Sequence, residues 1–168
     1  MRFVVTGEWG RNRLLRVILS LFLCYVALFW VTNFVLYFGK MTLAPSSVVA
    51  YYLGDESRFM QPRSLQGLAE VAHFHLFAMG MLVMTLTHLL LFVPSSLRLK
   101  GTLIIAAFAA ALLDEGSGWL VRFLHPGFAY VKVASFLTLQ GALAGLIALI
   151  VRGLAFPERN AYRDSETT

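Results

Sequence analysis

The four histidines of the chain, His73, His75, His88 and His125, fall in or beside long apolar runs, as do Glu70, Asp114, Glu115 and Arg122. An ionisable side chain inside a membrane segment is costly, so each is a candidate functional residue. Imidazole can ligate the iron of a b-type haem, and imidazole with carboxylate can hold copper, iron or zinc. At about 100° per residue, Glu70, His73, Phe77, Met81, Met84 and His88 line one helical stripe. His75 projects to another side with Met79 and Leu82. In the later acidic segment Asp114, Gly118, Val121 and His125 share one face, and Glu115, Trp119 and Arg122 share a neighbouring one.

Depth is expected to bring some of these groups together. A helix rises ~1.5 Å per residue. If the two segments cross a membrane in opposite directions, Glu70, His73, His75, Asp114, Glu115 and His125 converge in one half of a bundle, leaving His88 toward the other side. One expected site is a b-type haem held by His73 or His75 with His125, while His88 serves a second haem or pairs with another subunit. The other is copper, iron or zinc held by His73, His75, Asp114 and Glu115. Glu70, Trp119 and Arg122 then surround the ligands, a carboxylate satisfying the second imidazole nitrogen. Plainer roles compete with these. A membrane histidine can be an interhelical strut, the acidic pair can lock helices or pair with Arg122, and His125 can cap a helix end. Met79, Met81 and Met84 read as packing residues.

Composition dictates the elements that must position these groups. The chain has 168 residues, 58% hydrophobic and only 14% charged, with mean hydropathy +0.72. A soluble domain carries about 25% charged residues, so an ordinary soluble enzyme does not fit. The formal net charge of +5 is spread between apolar blocks and forms no nucleic-acid patch. A single cysteine, Cys24, excludes a disulfide framework and a thiolate zinc site and reads as a small packing residue.

A span needs about 20 mostly apolar residues, and four segments qualify, at about 14–38, 65–93, 97–124 and 129–151. Arg16 and Asn33 interrupt the first, and Asp114 and Glu115 lie inside the third. The stretch Val133 to Val151 of the fourth holds no charge. The first run is too long for a cleaved signal peptide and reads as an uncleaved anchor. Pro62-Arg63-Ser64 and Pro94-Ser95-Ser96 supply breaks with N-caps, and His125-Pro126-Gly127 supplies a third break. The expected fold is an all-α integral membrane protein, a four-helix antiparallel bundle in a single membrane domain over 1–168. An outer loop at 40–64 and a polar tail at 153–168 complete it, and Ser47–Leu53 suits an interfacial helix or lid. Arg2, Arg11, Arg13 and Arg16 lie on the same side as Arg98, Lys100, Arg152, Arg159 and Arg163, which predicts cytoplasmic N and C termini. Lys40, Arg58, Arg63, Arg122 and Lys132 are left outside.

The stretches VAHFHLFAMGMLVM and ALLDEGSGWLVRFLHPGFAYV are similar to small uncharacterised bacterial four-helix inner-membrane proteins. Those carry a His-x-His segment on span two and an acidic, tryptophan-containing segment on span three. The resemblance covers roughly Glu70 to Val151 and implies a bacterial inner membrane and a shared site. His73 and His88, about 22 Å apart along a helix, also resemble the paired histidines of membrane cytochromes b, which serve two stacked haems. Those proteins have a matching pair on a second helix, where this chain offers only His125.

The expected function is a small membrane subunit binding b-type haem or a transition metal in the outer half, supporting electron transfer within a larger complex. Its expected partners are the lipid bilayer and other membrane subunits or a second copy. A non-catalytic accessory or assembly subunit is the alternative, and a proton or metal-ion conduit is another. No nucleophile–base motif or substrate domain points to a stand-alone enzyme. A reporter fused after Thr168 is expected to be cytoplasmic and one inserted near Asp55 periplasmic; the reversed pattern would overturn the orientation.

Overall fold

Asn12 starts the first helix. Its side-chain oxygen accepts from the backbone N–H of Leu14 at 3.0 Å and of Leu15 at 3.2 Å, satisfying two donors that have no partner within a helix. In the computed structural model, which describes residues 12–155, α1 then runs Arg13–Lys40. Ser64 caps α3 (Leu65–Leu91) through Gly67 N at 3.1 Å, and Ser96 caps α4 (Leu97–Phe123) through Leu99 N at 3.3 Å. Both caps fall where the sequence places them. The short α2 (Pro45–Leu53) lies between α1 and α3, and α5 (Phe128–Ala155) ends the described chain.

Helices α1, α3, α4 and α5 are each long and apolar enough to cross a membrane, so the chain is a multi-pass membrane protein in contact with lipid. The described residues form no strand beyond a single bridge. Helix α3 stops at Leu91 rather than 93, ahead of Pro94, which disfavours helical backbone in the preceding residue. At the other extreme α5 continues to Ala155, past the expected end at 151. Arg2, Arg11, Arg159 and Arg163, and the tail from residue 156, lie outside the described residues.

Helix α5 is the hub. It packs most extensively against α4 and also meets α1, α2 and α3, and it is the main neighbour of α1 among the long helices. Small residues Ala107, Ala110 and Ser117 on α4 and Ala129, Ser135 and Ala142 on α5 are buried. They let the two backbones approach closely, which is how helices associate where lipid is as apolar as the interior. The core has two parts. One joins Leu23, Val83, Leu86, Leu90, Leu143 and Ile150; the other, beneath the lid, joins Tyr37, Val48, Tyr52, Leu68, Val121 and Phe136. Of the expected packing residues, Met79 is buried, whereas Met81 and Met84 face outward, and so does Cys24.

The loop at 41–64 is a lid. Pro45 opens α2, Val48 and Tyr52 are buried, and the helix lies on α4 and α5. Gly54 ends it at φ 88, where a Cβ would stand 2.6 Å from the Met60 carbonyl oxygen, so only glycine fits. Asp55 and Met60 then exchange both backbone hydrogen bonds at 3.0 Å around the Glu56–Arg58 turn. Within that turn the Ser57 hydroxyl, donating at 2.6 Å, holds the Asp55 carboxyl below its ordinary pKa.

Leu86 has no exposure and belongs to the larger apolar cluster, while Leu112 is 62% exposed to the surroundings. Leu86→Ala is therefore expected to cost about 2–5 kcal/mol, and Leu112→Ala is expected to be near neutral. Unfolding of the detergent-solubilised chain measures both; equal losses would contradict this packing.

Candidate functional site

Beside the lid-side apolar cluster the bundle holds polar groups. Lys132 lies on the second turn of α5 and is 7% exposed. Its Nζ stands 2.9 Å from Asp114 Oδ1 and donates to the Asp114 backbone carbonyl at 2.7 Å. The Ser117 hydroxyl donates to the same carbonyl at 3.0 Å. The ammonium is thus spent on one residue of α4, and Asp114 Oδ1, though paired by charge, accepts no hydrogen bond.

This pair lines a cavity of about 480 Å³ whose walls come from α1, α3, α4, α5 and the lid. Gln140 contributes a second acceptor: it is 4% exposed, and its Oε1 has no hydrogen-bond partner. Its backbone carbonyl accepts from Trp30 Nε1 at 3.2 Å, which fixes α1 to α5 at this level. An acceptor buried without a donor costs about 1–3 kcal/mol. Glu115 also lines the cavity and makes no hydrogen bond or ion pair with the described residues.

The roof is aromatic. Tyr37 stacks on Phe136 at 3.7 Å between centroids. Tyr52 lies so close over Gly118 that a Cβ there would meet its hydroxyl at 2.6 Å. Burial first, and then the charge of Asp114, raise the pKa of Tyr52 well above the ordinary phenol value, so it stays neutral. Two further contacts fasten the lid: Arg63 N donates to the Tyr52 carbonyl at 3.0 Å, and Arg122 Nε donates to the Arg63 carbonyl at 2.8 Å. The Arg63 guanidinium sits 4.1 Å over the Tyr51 ring.

Of the residues expected to converge, the cavity gathers His75, Asp114 and Glu115. His73 is exposed and set edge-on to Phe74, and His88 is exposed and set edge-on to Phe92. Glu70 is exposed and accepts from Gln66 Nε2 at 2.9 Å. His125 is exposed, its Nδ1 accepting from Gly127 N at 2.9 Å, so it shapes the α4–α5 turn. The stripe from Glu70 to His88 therefore faces outward and does not meet the acidic pair. Trp119 packs under the lid beside Phe123. Arg122 holds the lid instead of pairing with Asp114 or Glu115. Among the described residues no three of His, Cys, Asp and Glu stand close enough together to hold a metal ion.

Lys132 and Gln140 are the groups that sequence reasoning missed. Lys132 counts there as an outer flanking charge, yet α5 begins at Phe128 and carries it inside. Its spacing from Gln140 and Phe136 on one face of a helix was the available signal.

A family model describing a transmembrane helical domain matches residues 42–161. That stretch begins just after α1 and takes in the lid, α3, α4 and α5. No curated protein and no solved structure matches the chain.

Lys132→Met alone is expected to lower stability by about 3–5 kcal/mol, because it leaves a buried carboxylate without its cation. The double change Lys132→Met with Asp114→Leu is expected to recover most of the loss. Thermal unfolding in detergent separates the two outcomes, and a double variant no better than the single one would exclude the pair as the cause.

Proposed function

The chain belongs to the transmembrane helical domain family, and on that footing we propose that it is a binding subunit of a bacterial inner membrane. In this reading the lid-side cavity receives the polar head of a small amphiphile from the bilayer. The gap between α1 and α3 carries this reading. Both helices pack on α5, no comparable contact joins them to each other, and both line the cavity. Leu36 of α1 and Val71 of α3, 57% and 51% exposed, both line the cavity. The volume falls within the range of about 300–1,000 Å³ typical of small-molecule sites. Arg13, Arg16, Arg98, Lys100 and Arg152 at the opposite end support a cytoplasmic side there, and in this reading the cavity lies in the outer half.

A haem or transition-metal site supporting electron transfer is the second reading. It is favoured by His75, which lines the same cavity as Asp114 and Glu115. Of the expected ligands only His75, Asp114 and Glu115 line the cavity, and they are not close enough together to hold a metal ion as a set of three. A purely structural accessory subunit, its polar groups serving only to lock helices, leaves the orphaned Gln140 acceptor unexplained.

The test uses the full chain in nanodiscs with a photoactivatable dodecyl probe. Labelling is expected near Asn33–Tyr37 and Val71–His75, and Val71→Trp, which fills the opening, is expected to weaken it about tenfold, or ~1.4 kcal/mol. Labelling confined to the outward faces and unchanged by Val71→Trp would overturn the reading. A Soret band or stoichiometric metal in the same sample, lost on His75→Ala, would favour the second one.

A further inference from the structure

We infer that the head selected by the cavity is a protonated primary or secondary amine carried on an apolar tail. This rests on the amphiphile reading above and adds the chemistry of the head. The buried side-chain atoms of the cavity left without a hydrogen bond are acceptors. Gln140 Oε1 is buried and unpartnered, and among the described residues the Glu115 carboxyl group has neither a hydrogen bond nor a cation. The one buried cation among the described residues, Lys132, is already spent on Asp114 at 2.9 and 2.7 Å.

An ammonium group meets each deficit at once. Its positive charge pairs with Glu115, and its several N–H donors reach neutral and charged acceptors together. The aromatic residues Tyr37, Tyr52 and Phe136 line the same cavity. Other heads fail on a specific count. An alcohol brings a donor but no charge, and a quaternary ammonium brings charge but no N–H for Gln140. An anion meets Asp114 and Glu115. At the margin, exposed Lys40 and Arg63 suit a phosphate, so the amine can come from a free alkylamine or from an aminophospholipid.

The experiment compares dodecylamine, dodecyltrimethylammonium and dodecanol as competitors of the dodecyl photoprobe, using the full chain in phosphatidylcholine nanodiscs. Dodecylamine is expected to compete about tenfold more strongly than either, or ~1.4 kcal/mol. Glu115→Gln and Gln140→Leu are each expected to remove most of that advantage while leaving dodecanol unchanged. Folding of Gln140→Leu is checked by its thermal unfolding, and the conservative Glu115→Gln keeps the test open if that variant fails to fold. Equal competition by all three probes would overturn the amine inference and keep the amphiphile reading; absence of competition by any would overturn both. Adding phosphatidylethanolamine then assigns the source. Displacement of dodecylamine identifies the lipid head, and no displacement identifies a free amine, both consistent with amine selection.

Discussion

A lysine and an aspartate buried side by side in the membrane constrain the whole bundle. Each charge would be prohibitively expensive alone in hydrocarbon, so Lys132 and Asp114 must meet wherever the helices pack. That requirement presses α5 against α4, and the small residues on both surfaces make the approach sterically feasible. Because the ammonium also takes the Asp114 carbonyl, it fixes the rotation of α5 as well as its distance. The core is divided into two apolar clusters, and on α5 Lys132 lies between Ala129 and Phe136 of the lid-side one. The pair also lines the cavity. Polar groups needing company do not pack as closely as leucines, and the lid closes over what remains.

The spans, the capped breaks and the lid helix were legible because they rest on local rules. Ser64 and Ser96 announce their helices by side-chain chemistry alone. The composition of the site was only half legible, for a reason particular to membranes. In a soluble helix the apolar face identifies the interior, but here both faces of α3 are apolar. The histidine stripe was therefore readable as a stripe, while its direction was not. Val83, Leu86 and Leu90 turn inward and the His73–His88 face turns out. Lys132 was hidden by its position, since a cation close to the start of a span reads as a topology marker until its partner across the helix pair is known.

The family match adds a division within the chain. Residues 42–161 hold the lid, the ion pair and Gln140, whereas α1 lies before the matched stretch. In the bundle α1 is also the least buried long helix, held to α5 partly by Trp30 on the Gln140 carbonyl. It supplies one wall of the cavity through Asn33, Leu36 and Tyr37. The matched unit thus contains the polar chemistry, and α1 determines how far the cavity is enclosed.

The fastening of the lid has a kinetic consequence. Tyr52 seated on Gly118 and Arg122 holding the Arg63 carbonyl fasten the lid to α4, and in the proposed reading the amphiphile enters from the bilayer between α1 and α3. A molecule arriving there searches a plane rather than a volume. What governs its occupancy is then its mole fraction in the leaflet, which partitioning raises by about 0.8 kcal/mol for each buried methylene. Tail length alone would shift the apparent aqueous affinity of such a site by orders of magnitude without altering a contact inside the cavity.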